Sequence, residues 1–253
     1  MTSNVFHAAV NIEPPGTHTT ASFLGLTINV DTVIGTLIAA ALVIALGLFV
    51  RAKVTSGVPN GPQLFLETVF TWARDQVKEN MGLTVAPYVV PLAFTLFIFI
   101  LICNWFSALP VQVNGRDLVP PPTADVNLVY AMTVVVIVWV HVAGFRANGL
   151  HYFGHIARGP GNAPFLAPIN IIVEVIANPI ALALRLFGNI FAGTIMVSVI
   201  GLLPVYLLWA PNFGWKLFDL AIGLIQAFVF ALLTILYFGQ ATAGAQHSEV
   251  SGH

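Results

Sequence analysis

The chain has 253 residues, of which 58% are apolar and only 8% are charged, with a net charge of −1 and a mean hydropathy of +0.90. A soluble globular protein has about 25% charged residues, so the 9 basic and 10 acidic side chains are too few to cover the surface of one. The near-zero net charge leaves no basic face for nucleic acid. The single cysteine, Cys103, excludes an internal disulfide and a cysteine-built metal cluster.

The chain begins with a polar leader over residues 1–30, which has neither the basic nor the apolar region of a signal peptide. The first apolar block, residues 33–51, is just long enough to cross a hydrocarbon core of about 30 Å as a helix. Two later blocks, residues 86–109 and 125–146, are also predicted to cross the membrane. Asp125 is predicted to cap the outer start of the third span.

Residues 62–80, between the first two spans, have the pattern of an amphipathic helix. Its apolar face is formed by Leu66, Val69, Phe70, Ala73 and Val77. The charged side chains off that face are Glu67, Arg74, Asp75 and Lys78. Because membrane spans are predicted on both sides, we expect this helix to lie on the membrane surface. The alternative is a cytoplasmic helix packed on a partner.

The last apolar stretch divides near the sequence WAPNFGW at 209–215, where proline and glycine indicate a turn. The two halves predict helices over residues 165–203 and 212–240, followed by a polar tail over 241–253. The first of these helices has about 40 residues and a length of about 60 Å, twice a bilayer core, so it should be strongly tilted or bent. The predicted fold is a single all-α integral membrane domain with five transmembrane helices, one interfacial amphipathic helix and a final long tilted hairpin.

The distribution of basic residues predicts the orientation of the chain. Six of them fall between the first and second or the third and fourth spans, and only Arg116 and Lys216 fall on the other side. Cytoplasmic loops carry the excess of Lys and Arg, so the N-terminus should be outside and the C-terminus cytoplasmic. The six are Arg51, Lys53, Arg74, Lys78, Arg146 and Arg158.

Four ionisable side chains, His141, Glu174, Arg185 and Asp219, fall inside the predicted spans. Each costs several kcal/mol in lipid if unpaired, so each should face a partner or a wet cavity. Carboxylates and imidazoles can carry protons, whereas arginine stays protonated at any working pH. An arginine between two proton-accessible regions is therefore expected to act as a barrier. The alternatives are a structural arginine between packed helices, a packing role for His141, and a cap or anchor role for Asp219.

Helical geometry sorts the polar residues of the last two helices into faces. Glu174, Asn178, Arg185 and Asn189 form one stripe, and Thr194 lies on the opposite side of the same helix. Glu174 is about 16 Å along the axis from Arg185, too far for an ion pair, so Arg185 has no partner on its own helix.

On the final helix Asp219, Gln226 and Tyr237 share a face. In depth, Glu174 is expected nearer the cytoplasm and Asp219 nearer the outside, with Arg185 between them. No nucleotide-binding loop, HExxH pattern or GxSxG elbow occurs, so neither catalysis by this chain alone nor a cofactor or metal site is expected.

Several motifs resemble subunit a of the bacterial F-type ATP synthase membrane sector. They are ALRLFGNIFAG at 183–193, GLLP at 201–204 and LIQAFVFALLTILYFG at 224–239, with FLETVF, NWFSALP and ADVN in the expected order upstream. The resemblance implies a stator subunit in the plasma membrane, held by b-type peripheral stalk subunits and facing a rotating ring of c subunits. Protons, with Na⁺ as the alternative ion, would pass through two half-channels that open to opposite sides.

Within that resemblance, Arg185 matches the essential arginine that separates the half-channels, and Asn189 and Gln226 match its polar neighbours. Two positions depart from the pattern. Thr194 stands where many members have glutamate, and Asp219 stands where many have histidine. A single carboxylate on the final helix, Asp219, is therefore expected to do what a Glu–His pair does in those members. The rival hypotheses are a stand-alone ion carrier, which should translocate when purified alone, and a membrane scaffold, which should tolerate the loss of Arg185.

Overall fold

The computed structural model describes the following residues: 20–23, 26–53, 61–82, 87–108, 112–113, 116–117, 121–149, 152, 180, 188, 193, 195–196, 199–204 and 206–250. Five α-helices fall within this part of the chain. They are α1 (Val30–Lys53), α2 (Gly61–Met81), α3 (Val89–Trp105), α4 (Val126–Asn148) and α5 (Trp209–Val250).

Three of these helices contain stretches that are long and apolar enough to cross a membrane. The stretches are Val30–Ala52 in α1, Asn127–Asn148 in α4 and Trp209–Thr242 in α5, and α3 is a shorter apolar helix of 17 residues. The helical, membrane-type architecture is thus confirmed for the described residues. Most of the predicted long helix 165–203 lies outside them, so the count of five crossings stays a prediction.

The helices pack around α3 and α5, which contact each other and most of the remaining helices. Ala93 of α3 and Ala227 and Ala231 of α5 are fully buried. In a membrane the packing of small residues replaces the hydrophobic effect as the force that holds helices together. Larger side chains such as Phe97 and Phe230 fill the space beside these alanines.

The apolar face of α2 packs against α3 and α5. Leu66, Val69, Ala73 and Val77 of the predicted face are buried. Phe70 is the exception, because it is 42% exposed and contacts Phe94 edge to face at 5.7 Å between ring centroids. The helix and most of its predicted buried face are present, and its location at the membrane surface remains a prediction.

The final helix differs from its predicted bounds of 212–240. Turns occupy residues 201–204 and 206–208, and α5 begins at Trp209, so the predicted turn at 209–215 lies inside the helix. Pro211 is in the first helical turn, where a missing N–H costs nothing. At the other end α5 continues to Val250, because residues 241–250 contain no proline and several good helix formers. The predicted polar tail 241–253 is therefore helical over most of its length.

Two short antiparallel β-hairpins were absent from the all-α prediction. The strands β1 (Thr20–Phe23) and β2 (Leu26–Asn29) pair with Thr20 opposite Asn29, inside the predicted leader. The strands β3 (Gln112–Val113) and β4 (Arg116–Asp117) pair with Gln112 opposite Asp117. Strands this short carry too few residues for an alternating pattern, although the Asn-Gly dipeptide between β3 and β4 is a known hairpin signal.

Candidate functional site

The structure surrounds Asp219 with polar groups from the end of α3. After α3 a short 3₁₀ turn, Phe106–Ala108, places Ser107 beside α5. The Ser107 hydroxyl donates to Asp219 Oδ2 at 2.5 Å and also lies 2.8 Å from the Asn104 carbonyl oxygen. The Lys216 ammonium, one helical turn before Asp219, donates to the Ser107 carbonyl oxygen. The Asp219 carboxylate, in an apolar helix, is thus hydrogen-bonded to Ser107 at the end of a second helix, and Lys216 bonds to the same serine.

Asn104 links the same region to the start of α4. Its Nδ2 donates to the Gly223 carbonyl oxygen of α5 at 3.1 Å, and its Oδ1 accepts from Thr123 Oγ1 at 2.8 Å. Asn104 is 5% exposed and Thr123 is fully buried. A Cβ added at Gly223 would lie 3.0 Å from the Asn104 Cβ, so the glycine permits this close approach. We call Asn104, Ser107, Thr123, Lys216 and Asp219 the polar cluster.

The Ser107–Asp219 pair can hold a proton in two arrangements. A serine hydroxyl has one hydrogen and can also accept. When Asp219 is ionised, Ser107 donates to it. When Asp219 is protonated, its carboxyl can donate to Ser107, whose own hydrogen can turn to the Asn104 carbonyl oxygen 2.8 Å away. Both protonation states of the carboxyl therefore keep a hydrogen-bond partner.

Gly193 borders Asp219, and Gln226 lies on the same face of α5 two turns further along. A Cβ added at Gly193, which is buried, would lie 3.4 Å from Asp219 Oδ1, so the backbone of the preceding predicted helix passes beside the carboxylate. Gln226 is seven residues further along α5, about 10.5 Å along its axis and 20° around it. Gln226 is 6% exposed, and its Nε2 has no hydrogen-bond partner among the described residues. A buried amide with an unpaired donor is costly, which argues that Gln226 has a role other than packing.

Asp125, by contrast, is structural. Its Oδ1 accepts from the Asn127 N–H at 2.8 Å, which confirms the predicted cap of α4. Its Oδ2 accepts from Thr32 Oγ1 at 2.8 Å and from Asn29 Nδ2 at 2.6 Å. The carboxylate thereby joins the start of α1 to the start of α4.

Among the remaining predicted site residues, His141 lies within the described part of the chain and is not part of the polar cluster. His141 lies in α4, about 24 Å along the helix axis from the capping Asp125, and its ring contacts Tyr152 edge to face at 6.1 Å. Its Nδ1 is buried and has no hydrogen-bond partner among the described residues. The predicted positions that lie outside the described residues are Glu174, Arg185, Asn189 and Thr194.

The sequence pattern did not connect Asn104, Ser107, Thr123 or Lys216 to Asp219. The available signal was the i, i+3 pair of small polar residues that ends an apolar helix. That pattern also fits an ordinary helix end. Only the packing of α3 on α5 distinguishes a helix end that bonds to Asp219 from an ordinary helix end.

Comparison with known proteins covers nearly the whole chain. The family model described as ATP synthase A chain matches residues 33–239. The ATP synthase subunit a of Mycobacterium marinum is 51% identical over 248 residues, which is 95% of this chain and 97% of that protein. The subunit a of Acidothermus cellulolyticus is 50% identical over 240 residues, covering 94% and 86%. The subunit a of Aliivibrio salmonicida is 33% identical over 235 residues, covering 87% and 86%.

Proposed function

We propose that this chain, which belongs to the ATP synthase A chain family, is the stator subunit through which protons reach and leave a ring of c subunits. As a member of that family it is a non-catalytic membrane subunit of the ATP synthase. The observation that carries the finer proposal is the hydrogen-bonded carboxylate of Asp219, set in an apolar helix and bordered by the backbone at Gly193. A carboxylate that keeps a partner in both protonation states suits a proton relay.

The approach of Gly193 to Asp219 also suggests where Arg185 lies. Arg185 precedes Gly193 by eight positions, and position 227 follows Asp219 by eight. If residues 185–193 form a helix antiparallel to α5, each of these eight-residue separations covers about 12 Å along its helix axis. Arg185 is then at the same depth as Ala227 and its neighbour Gln226. The guanidinium could then donate to the amide oxygen of Gln226, with Asn189 one turn away on the same face.

In this arrangement Arg185 separates two proton pathways. It stays protonated, so it cannot pass a proton on, but its charge favours the ionised form of a carboxylate brought opposite it on the c ring. The outer pathway would use Asp219, with Ser107 as its hydrogen-bond partner and Thr194 next to Gly193 in sequence. We assign the cytoplasmic pathway to Glu174 and His141, on the predicted depth and facing of these residues.

The same proposal assigns the surroundings of the chain. The N-terminus lies outside and the C-terminus in the cytoplasm, with five crossings and with α2 at the membrane surface. The b-type stalk subunits hold the chain still while the ring turns. One charge that crosses 100 mV yields about 2.3 kcal/mol, so several protons are needed per ATP, which a ring can accumulate.

The test uses membrane vesicles that contain the whole complex. We would compare wild type with Arg185→Ala, following ATP synthesis under an imposed proton gradient and passive proton leak after the soluble head is stripped. Arg74→Ala is the matched control, because Arg74 is an exposed arginine of α2.

The expected result is loss of synthesis with the complex assembled, and a retained or increased leak, in Arg185→Ala alone. Normal synthesis in Arg185→Ala would show that this arginine is structural and would overturn the proposed barrier. Proton transport by the purified subunit alone would instead favour a stand-alone carrier.

A further inference from the structure

An apolar groove lies between α3 and α4, both of which pack on α5. It encloses a volume of about 250 Å³ and is lined only by apolar atoms. The groove is open on its outer side, where the side chains of Val135 and Trp139 are 60% and 43% exposed. The groove is lined by Leu92, Leu96, Ala131, Met132, Val135, Val136 and Trp139.

Aromatic residues with polar edges close one end of the α3–α4 groove. The Tyr88 ring, one turn before Leu92, stacks on the Trp139 ring at 6.1 Å between centroids and 13° between planes. Tyrosine and tryptophan favour the membrane–water interface, where the ring is in apolar surroundings and the O–H or N–H meets water. This end of the groove is therefore the one that meets the lipid headgroups.

A positive charge lies beyond the same end. Arg146 follows Trp139 by seven residues, which places it about 10.5 Å further along α4 and within about 20° of the same face. The Arg146 side chain is exposed. The face of α4 that lines the groove thus continues from apolar side chains to an indole and then to a guanidinium.

We propose that the α3–α4 groove binds one acyl chain of an anionic phospholipid, with the headgroup phosphate paired with Arg146. The charge at the groove end selects a negative headgroup, and guanidinium–phosphate pairs are among the stronger hydrogen-bonded contacts. A transmembrane helix of a partner is 10–12 Å wide with its side chains, too wide to enter a cavity of about 250 Å³. The inference does not depend on the proton pathway proposed above.

The experiment uses the intact complex in phosphatidylcholine bilayers with a minor fraction of a photoreactive lipid. The photoreactive group is on the acyl chain of either phosphatidylglycerol or phosphatidylcholine, and cross-linked peptides are identified by mass spectrometry. One Arg or Lys near an anionic headgroup is worth about 1 kcal/mol, so we expect about a fivefold preference for phosphatidylglycerol at the groove residues. Arg146→Gln should abolish that preference, and Arg146→Lys should retain most of it.

Two other variants test whether the labelling depends on Arg146 and on the groove itself. Arg51→Gln, at the exposed end of α1, should leave labelling of the groove unchanged. Val135→Trp should fill the groove and remove labelling by both probes there, while labelling elsewhere persists. Equal labelling by the two lipids in wild type, or an equal loss in Arg51→Gln and Arg146→Gln, would overturn the proposal. Absence of lipid label at Leu96 and Val135, while other lipid-facing positions are labelled, would overturn it as well.

Discussion

Ser107 and Asp219 are 112 positions apart in the chain and share a hydrogen bond of 2.5 Å between Oγ and Oδ2. The bond joins the end of α3 to the third turn of α5. Because the serine hydroxyl can either donate to the carboxylate or accept from the carboxyl, the contact survives a change of protonation. A connection of this kind lets Asp219 gain and lose a proton without separating the two helices.

Replacing Asp219 by asparagine should abolish its capacity to carry a proton while it keeps a similar shape. We expect ATP-driven proton pumping to fall at least about tenfold, with assembly retained, because a positioned proton-transfer group contributes about 10²-fold or more. Pumping is measured in inverted vesicles by a pH-sensitive dye. Asp75→Asn, an exposed position of α2, is the matched control. Pumping at the wild-type rate in Asp219→Asn would show that Asp219 is not a relay.

Removing the Ser107 hydroxyl should leave Asp219 without its side-chain donor. A hydrogen bond to a charged group contributes about 1.5–3 kcal/mol, so Ser107→Ala should slow pumping about tenfold or more if the whole bond is used in proton transfer. Ser107→Thr keeps the hydroxyl and should restore most of the rate. If both variants pump equally well, the hydroxyl has no part in the pathway and the short contact is only structural.

Replacing Gln226 by leucine should affect ATP synthesis much more than the stability of the subunit. Gln226→Leu removes a buried Nε2 that has no partner among the described residues, which favours stability, and it also removes the proposed acceptor for Arg185, which opposes it. Because Asn189 remains as a polar neighbour of Arg185 in the proposal, we expect the net change in stability to be within about 1 kcal/mol. Synthesis should nevertheless fall, because the proposed acceptor for Arg185 is lost. The two readouts are thermal release of the subunit from the purified complex and ATP synthesis in vesicles. A drop in both would indicate that Gln226 is a structural residue.

Gly193 should tolerate a methyl group but not a large side chain. A Cβ there would lie 3.4 Å from Asp219 Oδ1, which is an ordinary van der Waals contact. Gly193→Ala should therefore pump normally and gain about 0.5–1 kcal/mol of helix stability. Gly193→Leu should push Asp219 away from Ser107 and slow pumping. In the control, Gly47→Leu in α1, no atom lies within 4 Å of the added Cβ, and no effect on pumping is expected.

The sequence alone was enough for the features that depend on composition and local periodicity. Scarce charge and long apolar runs required a membrane protein, and helical spacing predicted most of the buried face of α2. The Asp125 cap was also predictable, because the residue it bonds, Asn127, is only two positions away. The apolar spacing of α2 and the Asp125 cap each depend on residues within a few turns of one another, which the order of residues encodes directly.

Packing between distant segments decided the rest. Asn104 bonds to α5 where Gly223 lets α3 approach closely, a contact across 119 positions that periodicity does not contain. Ser107 bonds to Asp219 across 112 positions, and Thr123 bonds to Asn104. The start of α5 at Trp209 and the two short hairpins depend on which backbone N–H and C=O groups form hydrogen bonds with each other. The α3–α4 groove exists because both helices pack on α5 and leave space between them. The sequence thus determined which residues are polar in an apolar chain, and the tertiary structure decided which of them share a hydrogen bond.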